Sequence, residues 1–145
     1  MKTNKKQNKR RGFTLVEIML VLVIMVSIAA LGVGTFVGVR QQADIQKAKI
    51  GVQNLVKSIE LYQVNVGAFP NTAEGLDALV NCPSSISNPD KWIKLVKGNS
   101  VPLDPWDHPF QYQYPGSQGD DSFDLWSCGP DGISGTDDDI TNTSI

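Results

Sequence analysis

Residues 13–39 form an apolar run of 27 residues in which only Glu17 carries a charge. As an α-helix rising roughly 1.5 Å per residue the run would reach about 40 Å, more than the ~30 Å hydrocarbon core of a bilayer. Six cations (Lys2, Lys5, Lys6, Lys9, Arg10, Arg11) and no anion precede it. A secretory signal would carry a shorter apolar core followed by a small-residue cleavage site. Here the run is too long and the small residue, Gly12, comes before it. The run therefore reads as a helix that stays in the membrane. Residues 1–12 are its basic leader on the cytoplasmic side, and residues 40–145 are a globular domain on the other side.

Glu17 sharpens this reading. A carboxylate among lipid tails costs about 2.5–3.5 kcal/mol on the insertion scale, so it needs a partner or a function. In one account it lies near enough to the helix end to reach the interface, or is protonated. In the other, the bond after Gly12 is cut and Phe13 acquires a new amino group. On a neighbouring copy of the helix that amine would be the counter-charge for Glu17, and copies would pack with an axial stagger.

The segment Arg11-Gly12-Phe13-Thr14-Leu15-Val16-Glu17 resembles the leader signal of type IV pilins and pseudopilins. The resemblance implies a prepilin peptidase that cuts after Gly12 and N-methylates Phe13, with Glu17 as the carboxylate used in filament assembly. Where many pilin-like proteins carry a proline, this chain has Gly34, so no fixed proline kink is implied. Gly32, Gly34 and Gly38 each weaken a helix by roughly 1 kcal/mol relative to alanine and favour local loosening or close helix packing.

The formal net charge of −2 conceals an asymmetry. Without the leader's six cations, seven basic residues face fifteen acidic ones, and residues 101–145 hold nine Asp but no Lys, Arg or Glu. Such a surface excludes nucleic acid as a partner and suits a cation. Cys82 and Cys128 would lie outside the cytoplasm. There they can close a disulfide, typically 2–4 kcal/mol of stabilisation, or remain two separate thiols.

Beyond Arg40, apolar residues recur at Ile45, Ala48, Val52, Leu55, Ile59, Tyr62 and Val66. This 3–4 spacing predicts a continuing helix with one buried stripe, packed on its own domain rather than in a coiled coil. Residues 13–62 would make a rod of about 75 Å. Gly67 and Pro70 end the helix, and residues 72–80 read as a short helix capped by Asn71 or Thr72. Residues 92–96 read as a short extended piece. Phe110-Gln111-Tyr112-Gln113-Tyr114 and Phe123-Asp124-Leu125-Trp126-Ser127 alternate apolar and polar side chains, the period of two paired antiparallel strands. The class is α+β: a long N-terminal helix on a small antiparallel sheet of two or three strands.

The second half narrows the resemblance. Tyr62-Gln63-Val64-Asn65-Val66-Gly67-Ala68-Phe69-Pro70, Thr72 to Leu79, Asp104-Pro105-Trp106 and Gly129-Pro130-Asp131-Gly132, with the later Gly135 to Ile140, look like the major pseudopilins of type II secretion systems. The acidic loop holds Asp131, Asp137, Asp138 and Asp139 together with Gly129, Gly132 and Gly135. By its residues alone this is either a solvated turn or an oxygen-rich site for a hard cation. Its spacing is not an EF-hand. The resemblance implies Ca²⁺, with Asp131, Asp138 and Asp139 as side-chain ligands and the Cys128 carbonyl as a backbone ligand. Ser134 or Thr136 is a further oxygen source.

No nucleophile–base pair is evident: the one histidine, His108, sits beside Asp107 in a proline-bounded turn, and two distant cysteines make no zinc pattern. Trp92, Trp106 and Trp126 read as core. The resemblance implies a non-enzymatic filament subunit, single-pass in the bacterial inner membrane with its domain in the periplasm. It would polymerise with its own copies and work with minor pseudopilins, an inner-membrane assembly platform and an outer-membrane secretin to export folded proteins. A type IV pilin or minor pseudopilin for adhesion, motility or DNA uptake fits the leader alone. A membrane-anchored calcium-dependent binding module that never polymerises fits the anchor and the acidic loop.

Overall fold

The computed structural model describes residues 12–144; within the first helix, the side chains of residues 30–37 lie outside that description. The basic stretch before Gly12, expected to be a leader, also lies outside it. Internal contacts divide the chain after Arg40 into two units. Helix α1 (Leu15–Val66) is continuous, so Gly32, Gly34 and Gly38 do not interrupt it.

In the first unit, Thr14 caps α1. Its Oγ1 accepts the Glu17 amide at 3.3 Å, and its carbonyl accepts the Glu17 and Ile18 amides at 3.1 and 3.3 Å. Thr14-x-x-Glu17 thus forms one arm of a capping box, with the carboxylate in the first turn at the positive end of the helix dipole. Gly12 and Phe13 precede the helix without regular structure, and Phe13 is 79% exposed. Every described side chain from 15 to 29 is exposed, although all but Glu17 and Ser27 are apolar. Among the described residues, with the side chains of residues 30–37 of the expected span left out, no helix is long and apolar enough to cross a membrane.

The second unit is built on the other part of α1. Ala48, Val52, Leu55, Ile59 and Tyr62 are buried at the expected helical spacing, with Ile45 and Val66 partly buried beside them. Against them lies an antiparallel sheet in the order β1 (Gln111–Gln113), β2 (Asp124–Ser127), β3 (Ile140–Thr141). Tyr112 pairs with Leu125, and Ser127 with Ile140. Leu125 is fully buried from the sheet side, and Phe110 seats its ring on Gly51, where a β-carbon would lie 2.8 Å from its Cζ.

Two local expectations change. Residues 72–80 do not form one α-helix: a 3-10 turn occupies Gly75–Leu79, because Gly75 has φ +54 and breaks the right-handed path. Ahead of it Asn71 and Glu74 exchange side-chain hydrogen bonds with each other's amides, at 2.9 and 3.2 Å. Residues 92–96 join no strand. A 3-10 turn at Pro89–Lys91 leads into them, the Trp92 indole donates to the Ala78 carbonyl at 2.8 Å, and the Leu95 and Val96 amides both reach the Leu79 carbonyl.

Candidate metal centre

The acidic loop runs from the end of β2 to the start of β3, so two paired strands fix both of its ends. Its carboxylates fold back on its own amides. Asp131 accepts from the Ile133 amide at 2.8 Å, and Asp139 Oδ2 accepts from the Gly135 amide at 2.7 Å. Asp138 Oδ2 accepts from the Asp131 amide at 3.4 Å, joining the two ends of the loop. Gly129, Gly132 and Gly135 all have positive φ, which these reversals require.

The expected ligands therefore share one loop. Among the described residues, however, no three His, Cys, Asp or Glu side chains converge closely enough to hold a metal ion as they stand. Two observations bear on whether the residues suit calcium. The donors are all oxygens, as a hard cation requires. In addition, Asp139 Oδ1 is buried with no hydrogen-bond partner, a costly state for a carboxylate oxygen unless a cation or water meets it. Asp139 also borders a cleft of about 200 Å³ with Trp126, Ser134 and Gly135. The residues fit the ion in chemistry.

The loop's hydroxyls have separate tasks. Thr136 Oγ1 lies 2.6 Å from Asp138 Oδ1, and this hydrogen bond holds the Asp138 carboxyl below its ordinary value. Ser134 accepts the Trp126 indole N–H at 2.9 Å. Trp126 thereby departs from expectation: Trp92 and Trp106 pack against the core, whereas Trp126 tethers the loop. Asp137 is exposed.

Cys82 and Cys128 are free thiols, one exposed and one buried, so the bridge that the sequence left open is not formed. Burial and then the nearby Asp139 carboxylate push the Cys128 thiol above its usual value, so it stays protonated. A protonated thiol is a poor metal ligand, and the carbonyl is the group this residue has to offer a hard cation.

The Asp104–His108 turn was not legible as part of this centre. Asp104 is 4% exposed and Ser127 fully buried. Asp104 Oδ1 accepts the Trp106 and His108 amides at 3.0 and 2.8 Å, and Oδ2 accepts the Ser127 hydroxyl at 2.6 Å. His108 Nδ1 lies 3.2 Å from the Gly129 carbonyl oxygen, and its ring fills the space over Gly132. Asp104 and Ser127 are 23 residues apart, and no local signal joins them.

Comparison with known proteins shows the family and the fold. The family model described as "Type II secretion system (T2SS), protein G" matches residues 35–143, and the "Prokaryotic N-terminal methylation motif" matches residues 7–35. The chain is 37% identical over 140 residues to a "Type II secretion system core protein G" of Aeromonas hydrophila, covering 97% of this chain and 96% of the relative. It is 39% identical over 138 residues to the protein of that name from Escherichia coli, covering 95% and 94%. Its fold is similar to the crystal structure of the major pseudopilin from the type 2 secretion system of enterohaemorrhagic Escherichia coli. The TM-score is 0.63 at 32% identity, over 75% of this chain and 94% of that one.

Proposed function

Because the chain belongs to the type II secretion system protein G family, we propose that it is the repeating subunit of a periplasmic pseudopilus that drives export of folded proteins. The observation that carries the polymerising role is residues 15–29 of α1, all exposed and all apolar except Glu17 in the first turn and Ser27. A helix apolar all round is stable only in lipid or against other apolar surfaces. Residues 13–39 serve both states in turn: they anchor the precursor in the inner membrane, then bury against copies of themselves in the filament.

Processing supplies the charge that makes the second state favourable. Gly12 and Phe13 lie ahead of the capped helix, where a prepilin peptidase can reach the bond between them. Cleavage leaves a free amine on Phe13, which is then N-methylated by transfer from a methyl donor. On a neighbouring copy that amine neutralises Glu17, removing the cost of a lone carboxylate away from water. The subunit is structural and does no chemistry of its own. The assembly platform supplies the driving energy, and minor pseudopilins and the secretin complete the path.

Calcium braces the C-terminal loop. Asp131, Asp138, Asp139 and the Cys128 carbonyl would hold it, and the ion supplies positive charge to a cluster that otherwise repels itself. Binding the folded state alone stabilises the subunit by RT ln(1+[Ca²⁺]/Kd), about 2.7 kcal/mol at a hundredfold excess over Kd.

The test is complementation in the source bacterium. Deleting the gene should leave folded exoproteins in the periplasm, and the wild-type gene should return them to the medium. Normal secretion by the deletion strain would contradict the reading.

A further inference from the structure

We propose that Asp104 is the positioning residue of the calcium loop: through Ser127 it sets the orientation of the Cys128–Gly129 peptide, and hence the direction of the Cys128 carbonyl. The proposal rests on the calcium reading above and adds the device that pre-arranges the backbone ligand.

The polarity of the contacts carries the argument. A carboxylate can only accept, so the 2.6 Å contact from Ser127 commits the single hydroxyl hydrogen of Ser127 to Asp104 Oδ2. The lone pairs of Ser127 Oγ are left for another donor, and the Gly129 amide reaches them at 3.3 Å. The Cys128–Gly129 peptide is not among the cis bonds, so it is trans and planar, with its N–H and C=O on opposite sides. Holding the Gly129 N–H on Ser127 therefore turns the Cys128 C=O away from Ser127. His108, the last residue of the Asp104 turn, meets the other side of Gly129, its ring Nδ1 lying 3.2 Å from the Gly129 carbonyl oxygen. One buried carboxylate thus fixes both the Ser127 hydroxyl that takes the Gly129 amide and the turn whose His108 meets the Gly129 carbonyl.

Replacing Asp104 by Asn keeps the size and one accepting oxygen but presents an NH₂ to Ser127. The hydroxyl hydrogen is released, and it competes with the Gly129 N–H for the same space. The peptide loses its fixed orientation.

The test uses the full mature chain in detergent, stripped with chelator and titrated calorimetrically with calcium chloride. Asp104→Asn and Ser127→Ala should weaken binding tenfold or more, and Ser127→Thr, which keeps the hydroxyl, should restore it to within threefold. Ile59→Val, which loosens the core elsewhere, should leave Kd within twofold, separating positioning from general loss of stability. A folded Asp104→Asn chain with unchanged Kd would overturn the proposal. If that variant does not fold, equal Kd values for Ser127→Ala and wild type would overturn it instead. Wild-type protein that takes up no calcium would remove the calcium reading and this proposal together, a failure visible before any variant is made.

Discussion

Gly129 and Asp138 touch so closely that no side chain fits between them: a β-carbon on Gly129 would lie 2.6 Å from the Asp138 carbonyl oxygen and 2.7 Å from its Oδ2. The contact clasps the start of the acidic loop to its end. The nearer of the two contacts is to the Asp138 backbone carbonyl, which cannot swing aside as a side chain could.

Gly129→Ala should accordingly be costly. The position has φ +64, which strains any L-residue, and the added carbon meets the Asp138 carbonyl. Urea denaturation in chelator should show a loss of about 1–3 kcal/mol. The rise in Tm on adding calcium should shrink with it. A variant as stable and as calcium-responsive as wild type would show that the loop ends are not clasped in solution.

Asp138 should titrate lower than an ordinary aspartate when calcium is absent. The Thr136 hydroxyl, followed by the Asp131 amide, stabilises its ionised form. A depressed folded value means that the contribution to stability is present in full above the unfolded value of 3.8 and is lost as pH falls through the lower folded value. Carboxyl chemical shifts in chelator report the titration directly. Thr136→Val should move the Asp138 midpoint upward toward 3.8; an unmoved Asp138 midpoint would contradict the assignment.

What could be read in advance follows the range of the forces. The buried stripe through Ala48, Val52, Leu55, Ile59 and Tyr62 was legible because helical periodicity is written locally. The alternation at Tyr112 and Leu125 was legible for the same reason. Strand β3 was not: Ile140 and Thr141 are two residues after an acidic loop, and only their pairing with Ser127 and Trp126 makes them a strand. The 3-10 turn replaced a helix because Gly75 takes a positive φ that propensity does not encode. At the site, the acidic residues announced themselves, but their buried support did not. Asp104 resembles any turn aspartate until the fold brings Ser127 to it.

Assembly through Glu17 is tested most directly by expressing Glu17→Ala beside wild type and counting sheared filaments by electron microscopy. Intact mass of the membrane fraction should confirm that both chains begin at methylated Phe13. The expected result is processed, membrane-held Glu17→Ala protein with filaments reduced at least tenfold. Filaments as abundant as wild type would contradict a charge exchanged between neighbouring helices.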